Sequence, residues 1–400
     1  FIFNDAGIPN TESSGTPLGI EVHGMAYAFL CYKSPAFNKT IFMNYKIYNR
    51  SNRDYHDTYL GLFSDLDLGD PNDDYIGSDV QRGSMYVYNG KPTDGNGTID
   101  AYGSNPPAQS LTILGGPYKD ADGIDNPDGQ CDYSVNGLNF GNGIQDDERL
   151  GMTRFTYFTN YSGTTMMTPP HTPRQHYMFL QGFWSDTTHM LYGGYGHDTL
   201  GAYGPECRFM YPGDSDTCNW GTNGQSPNGP EYWTEESVEA TPFDKKAIAV
   251  TGPFTFEAGG MEELDFAFVY GRDTNAPDSI GHLASVEKMK ANIDTVRESF
   301  INNVTPCGTP FITSSRHNVH RPEIDLSIYP NPAMDHITVQ TGKNEDFQCR
   351  IYDMFGRIVK HKNMQQKAEF DLNIGDLAEG IYILRVNTED TEATHKFIKQ

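Results

Sequence analysis

The sequence predicts a mainly β protein: an N-terminal β-sandwich-like region carrying one amphipathic helix, followed by a smaller β-sandwich. Three observations predict this. Short apolar runs with a period of two recur along most of the chain, separated by polar turns. Glycine and proline are abundant, at 41 and 24 residues, and both punctuate short strands. A single stretch repeats its apolar residues at helical spacing instead. A chain of 400 residues also exceeds what one core usually organises, so more than one domain is expected.

The first strand signals are Ile20 to Phe29 and Ile41 to Tyr48. In the latter, Ile41, Met43, Tyr45 and Ile47 alternate with Phe42, Asn44, Lys46 and Tyr48, the pattern of a sheet with one more buried face. Tyr59 to Phe63 follows and runs into a group of aspartates. Ser84 to Tyr88, Leu111 to Leu114, Thr153 to Phe158, Tyr177 to Trp184, Ile248 to Phe256 and Leu264 to Tyr270 read as further strands of a sandwich or a pair of packed sheets. Over about 282–301, Leu283, Val286, Met289, Ile293, Val296 and Phe300 fall on one helical face, with Glu287, Lys288, Lys290 and Glu298 outside. This face lacks the basic flank of a membrane-surface helix, so it is expected to pack on the edge of the sheets. The predicted N-terminal region therefore covers 1–302, and 303–322, with Pro306, Gly308 and Pro310, reads as a linker to a C-terminal domain at 323–400.

Charge excludes several classes of partner. With 53 acidic against 29 basic side chains the formal net charge is −24, which disfavours nucleic acid and anionic lipid and suits a protein that gathers cations. No apolar stretch is long enough for a transmembrane segment. The chain begins at Phe1 without an initiator Met, so a removed signal segment or a processed fragment is expected.

Six cysteines are too few for a disulfide scaffold in so long a chain. Cys207 and Cys218 close the turn-rich loop CRFMYPGDSDTC and are the best candidates for a bridge, with free buried thiols as the alternative. The pairing of Cys31, Cys131, Cys307 and Cys349 is left open, since six cysteines allow fifteen connectivities. His317 and His320, with Glu323 nearby, form a weak metal motif on the linker, and His189 and His197 are no stronger.

From about Ile324 the chain forms two-strand units joined by short turns: IDLSIYPNPAMDHITVQ, CRIYDMFGRIVKH, AEGIYILRVNTED and a last strand at His395 to Lys399. This region resembles the type A sorting domain of the type IX secretion system of Bacteroidota, an Ig-like β-sandwich. The residues that carry the resemblance are Tyr329, Pro330, Asn331 and Pro332, then Asp353 with Gly356, then Leu377, Gly380, Tyr382 and Leu384, and finally Lys396 and Ile398. The resemblance implies passage through an outer-membrane translocon, recognition by a shuttle protein, removal of the domain by a sortase and attachment to surface lipopolysaccharide. It places the mature protein at the cell surface or outside the cell. The N-terminal region is similar to a group of secreted proteins from the same bacteria, on stretches such as FSDLDLGDPNDDYIGSDV and YGPECRFMYPGDSDTCNWG. That likeness supplies a context and no mechanism.

Two acidic loops point to calcium. The first carries Asp65, Asp67, Asp70, Asp73, Asp74 and Asp79, and the second Asp120, Asp122, Asp125, Asp128 and Asp132. DGNGTID adds Asp94, Asn96 and Asp100. Carboxylates this dense repel one another, and calcium accepts six to eight oxygens in flexible geometry, so Asp65, Asp67, Asp70, Asp73, Asp120, Asp122, Asp125 and Asp128 are the candidate ligands. Solvated turns are the plainer reading.

No elbow, zinc-protease, phosphate-loop or dinucleotide motif occurs in the sequence. The expected class is a non-enzymatic binding or structural β-protein. The competing class is a secreted hydrolase acting on polysaccharide or peptide. In the hydrolase reading Trp184, Trp220 and Trp233 form sugar platforms, and Glu231, Glu235 and Glu236 are the least improbable acids.

Overall fold

Period-two patterning produces strands through most of the chain, and a computed structural model describes residues 1–5, 7–95, 97, 101–128, 134–159, 165–230, 232–311, 326–342, 344, 346–353, 357–387 and 392–400. The chain divides into two units, Phe1–Ile312 and Thr313–Gln400.

In the first unit the elements run β1 (Ile2–Asn4), β2 (Ile20–Tyr27), β3 (Thr40–Asn49), β4 (Tyr55–Asp65), β5 (Asp74–Asp79), β6 (Ser84–Asn89), β7 (Thr93–Asp94), β8 (Gly103–Ser104), β9 (Ala108–Gly115) and β10 (Arg154–Thr159). Helix α1 (Pro173–Leu180), β11 (Lys245–Phe256), β12 (Met261–Gly271) and helix α2 (Gly281–Ile301) complete it. A seven-stranded antiparallel sheet is ordered β1-β2-β3-β12-β9-β6-β5, a second sheet is β10-β11-β4, and β7 pairs with β8.

The large sheet is buried on both faces at its centre. On β12, Leu264 and Phe266 enter a core shared with Phe155, Tyr157, Ala247 and Ala249 of the smaller sheet. Ala267 and Val269, offset by one residue, enter a second core against Val286, Met289, Ile293 and Val296 of α2. The same alternation divides Met85 from Tyr86 on β6 and Ile113 from Leu114 on β9. Helix α2 therefore lies across the face of β12, β9 and β6, not on the sheet edge, because a sheet with apolar residues on both faces needs a cover on each. A Cβ at Gly271 would lie 2.3 Å from the Met289 nitrogen, so glycine permits the close approach of β12 to the helix.

Two expectations are corrected in this unit. Tyr177 to Trp184 is not a strand: its first part ends α1, whose start carries Pro173 and a capping box in which Thr172 Oγ1 accepts from Gln175 N at 3.2 Å. Nor do Cys207 and Cys218 pair. Cys207 is a free thiol inside the aromatic core, whereas Cys218 lies in a half-exposed loop and is bonded elsewhere. Cys131 lies outside the described residues.

The stretch read as a linker begins as part of the first unit. Phe311 packs against Phe29, Phe42 and Phe300 at centroid distances of 5.3–5.4 Å. Cys307 forms a disulfide with Cys31, 276 positions away. His317, His320 and Glu323 lie outside the described residues.

The second unit contains β13 (Ser327–Tyr329), β14 (His336–Gln340), β15 (Phe347–Tyr352), β16 (Ile358–Met364), β17 (Glu369–Asn373), β18 (Gly380–Asn387) and β19 (Glu392–Lys399). They form sheets ordered β13-β14-β17 and β16-β15-β18-β19. Alternate residues such as Ile337, Val339, Cys349, Ile351, Leu384 and Val386 fill the space between them, so this unit is a small β-sandwich.

The Cys31–Cys307 bridge closes nearly the whole first unit, so its loss leaves the unfolded chain much freer. Replacing Cys307 by Ser is expected to lower unfolding free energy by about 2–5 kcal/mol. Denaturant melts with and without reductant measure this, and reductant should shift the wild type further than the variant, which keeps only the bridge of Cys218.

Candidate functional site

The first acidic loop separates into two groups. Asp65 ends β4, and the chain carries Asp67 onward beside Asp244, which directly precedes β11. One oxygen from each of Asp65, Asp67 and Asp244 lies within 4.8 Å of the others. Lys246 reaches Asp65 at 3.2 Å. Burial, and then the charges of Asp65 and Asp244, push the Asp67 carboxyl above its ordinary range.

The inner group is held by backbone amides. Asp94 accepts from the Asp70 amide at 3.0 Å, Asp73 from the Gly95 amide at 2.9 Å and Asp74 from the Leu68 amide at 2.8 Å. Asp73, Asp74 and Asp94 are all buried. One oxygen each of Asp73 and Asp74 has no hydrogen-bond partner. Burial, with Asp73 and Asp94 adding repulsion, pushes the Asp74 carboxyl up to about 8. This group relieves its like charges by holding a proton. Asp79 stands apart, paired with Arg82 at 2.8 Å.

The second acidic loop is spread over different partners. Asp120 accepts from Thr255 Oγ1 at 2.8 Å, and Asp122 from Lys119 Nζ at 2.6 Å and the Ile124 amide at 3.0 Å. Asp125 takes the Gly141 and Gly143 amides at 2.9 and 2.7 Å. Among the described residues Asp120, Asp122, Asp125 and Asp128 do not gather around a common point. Asp146 answers from the facing loop, accepting from the Asp122 and Gly123 amides at 2.7 and 2.8 Å. Asn96, Asp100 and Asp132 lie outside the described residues.

The three tryptophans and Glu235, on which the hydrolase reading rests in part, are used for packing. Trp184 and Trp233 are fully buried and Trp220 nearly so. Glu235 is buried, pairs with Lys245 at 3.2 Å and accepts from the Ile76 amide at 2.6 Å. Glu236 is exposed, and Glu231 lies outside the described residues. His197 is buried between Thr199 Oγ1 at 2.8 Å and Asp186 at 3.3 Å, while His189 stacks on Phe183 at 3.8 Å.

In the second unit the motif residues lock the two ends of the sandwich together. Tyr329 ends β13, and the Pro330-Asn331-Pro332 segment crosses to the last strand. Asn331 accepts from the Ile398 amide at 2.9 Å and donates to the Lys396 carbonyl at 3.1 Å. Asp353 accepts from Arg357 Nε at 2.7 Å and from its amide at 3.0 Å across the β15–β16 turn. Gly380 opens β18, and two positions on Tyr382 is buried, stacked on Phe397 at 5.6 Å with its hydroxyl donating to Ala378 O at 2.9 Å. Lys396 is exposed on β19, and Gly356 lies outside the described residues.

Residues 327–400 match the family described as "Secretion system C-terminal sorting domain". The C-terminal unit is a type IX sorting domain. The chain is thus cargo for that machinery, exported to the cell surface or the medium. Among solved structures, a DUF3244-family protein of Bacteroides vulgatus with an immunoglobulin-like β-sandwich fold is 21% identical, covering 22% of this chain and 93% of its own at a TM-score of 0.18. A polysaccharide lyase is similar at 5% identity and a TM-score of 0.26, with 96% of this chain spanning 35% of its length. The BSP domain of a biofilm-associated protein gives 8% identity, coverage of 94% and 81%, and a TM-score of 0.18. At these scores the likenesses carry no functional inference. No curated protein matches the chain. Among the described residues no helix is long and apolar enough to cross a membrane.

Asp244 is the residue of the outer group that sequence reading misses, because it stands some 180 positions from Asp65 with no local acidic density to mark it. Asp74 titrates in a definable direction. Its carboxyl holds its proton up to about 8 in the fold but has a pKa of about 3.9 when unfolded, so its contribution is complete below about pH 4 and is lost as pH rises through 8. Asp74→Asn in chelator is therefore expected to flatten the fall in stability between pH 5 and 8, read from urea melts at each pH. An unchanged slope would assign that pH dependence to other groups.

Proposed function

We propose that the exported N-terminal unit is a non-enzymatic binding or structural β-protein of the cell surface, with calcium rigidifying the loop ahead of β5 through Asp65, Asp67 and Asp244. The observation that carries the cation reading is the convergence of three carboxylate oxygens from two distant segments within 4.8 Å. A divalent ion accepting hard oxygens suits carboxylates that converge this closely. Backbone carbonyls and water would complete the six to eight ligands that calcium takes. The burial of all three tryptophans and the Glu235–Lys245 pair favour a structural role over hydrolysis, since the core takes up the sugar platforms and one of the candidate acids. The sorting domain fits recognition by the shuttle protein, removal by the sortase and attachment to lipopolysaccharide.

For a weak extracellular site with Kd about 0.1–1 mM, millimolar calcium adds roughly 0.4–1.4 kcal/mol. The expected result is a melting temperature about 1–4 °C higher in 1 mM calcium than in chelator, with one ion per chain by elemental analysis. Asp67→Asn and Asp244→Asn should each abolish the increment. Identical melts with no bound metal would return these aspartates to solvated turns and leave glycan and peptide hydrolysis as the reading to assay.

Export has its own test. Removing residues 327–400 is expected to trap the protein inside cells that possess type IX secretion, while a fusion of 313–400 to a periplasm-competent reporter should reach the surface or medium. Fractionation with immunoblotting measures both, and surface display of the truncated chain would contradict the assignment.

A further inference from the structure

The smaller sheet of the first unit carries a pair of arginines that form no ion pair among the described residues. Arg154 opens β10, and the segment through Phe209 runs parallel beside it, bridged at Phe155 and Phe209. The Phe155 amide donates to the Arg208 carbonyl at 2.8 Å, and the Met210 amide to the Phe155 carbonyl at 3.2 Å. Parallel pairing at this register sets Arg154 and Arg208 side by side on neighbouring strands.

Aromatic rings flank both guanidiniums. Arg154 sits 4.9 Å from the ring centre of Tyr59, which contacts the ring of Tyr177 on α1 at 5.9 Å. Arg208 sits 4.5 Å from the ring centre of Trp220. Neither arginine has a carboxylate at ion-pair distance among the described residues. Asp216 acts on Arg208 electrostatically, but its oxygens accept from the Trp220 and Gly221 amides at 2.7 and 2.8 Å.

The donors are largely unused. Arg154 Nη1 makes two long hydrogen bonds, to Thr153 Oγ1 and the Gly252 carbonyl, each 3.3 Å. Arg208 Nη2 bonds to the Trp220 carbonyl. The Nε atoms of both are buried without a partner. Burial pushes the Arg154 guanidinium below its usual range, and burial followed by the charge of Arg154 pushes Arg208 down to about 10. In a chain with 53 acidic side chains, two adjacent half-buried cations with no ion pair among the described residues repel each other, and the charge of Asp216 offsets this only in part.

We infer that Arg154 and Arg208, flanked by Tyr59, Tyr177 and Trp220, form a binding site for an oxyanion group, a carboxylate or a sulfate borne by a ligand of the exported protein. Planar guanidinium forks match the paired oxygens of such groups, the rings beside them hold the forks in place, and the exposed Tyr177 borders the site. The anion would relieve the repulsion that the empty pair carries. This inference is independent of the cation reading and uses different residues.

Thermal melts and calorimetric titrations of the full chain with sodium sulfate, acetate or glucuronate, each against sodium chloride at equal ionic strength, test it. At least one oxyanion is expected to bind saturably and to raise the melting temperature by about 1–3 °C over chloride. Sulfate alone would identify a sulfated ligand, and glucuronate above acetate a uronate-bearing sugar. Arg154→Gln should melt in chloride no lower than wild type, because repulsion is relieved, and lose the oxyanion increment. Arg154→Lys keeps the charge without the fork and should weaken binding at least tenfold with the fold intact. Equal melts in all salts, or an increment that survives in Arg154→Gln, would overturn the assignment.

Discussion

The first unit depends on one buried guanidinium. Arg149 donates through Nη1 to Asp265 at 2.9 Å, through Nε to the Gly116 carbonyl at 2.8 Å, and through Nη2 to the Gly115 and Glu263 carbonyls at 2.9 and 3.1 Å. Asp265 completes the network by accepting from Asn44 at 2.8 Å. One side chain thereby ties β3, β9 and β12 to the loop before β10. The two central strands, β9 and β12, shift register at this point, where a bulge leaves backbone carbonyls that the ladder does not use. Arg149 bonds to carbonyls there through Nε and Nη2. Removing one partner of such a pair would leave the other charged and buried, which typically costs 3–5 kcal/mol, so the network constrains everything packed around it.

The handling of negative charge follows the same logic across the unit. Deep carboxylates are neutralised by cations, as Asp265 is by Arg149 and Glu235 by Lys245. Those in the second acidic loop are saturated by backbone amides from the facing loop, which converts dense aspartate into a strap between two turns. Burial holds the Asp74 carboxyl well above the usual carboxylate range. Among the described residues, Asp65, Asp67 and Asp244 converge on one another, and Arg154 and Arg208 stand side by side with no carboxylate at ion-pair distance. Imbalances of charge that a fold tolerates at half-buried positions are where a ligand gains most from binding.

The sorting domain works by a different economy of means. Its recognition motif is structural within the sandwich: Asn331 clamps the final strand, and Tyr382 supports Phe397 from within. Tyr329 and Lys396 remain at the surface of that clamp, so the motif both stabilises the C-terminal edge and presents side chains beside it.

Local sequence was enough for the β class, the helix at about 282–301 and the C-terminal sandwich with its motif, because each is written in local periodicity or in closely spaced turn residues. It misread the start of α1, although His171-Thr172-Pro173-Arg174-Gln175 held the cap signal, since the apolar run after it resembles a strand. Tertiary structure alone decided which cysteines meet, that β9 and β12 are covered on both faces, that Asp244 joins Asp65 and Asp67, and that Arg154 and Arg208 stand side by side. All of these depend on contacts between residues tens to hundreds of positions apart. Such contacts are set by strand order and sheet packing, and neither leaves a period in the local sequence.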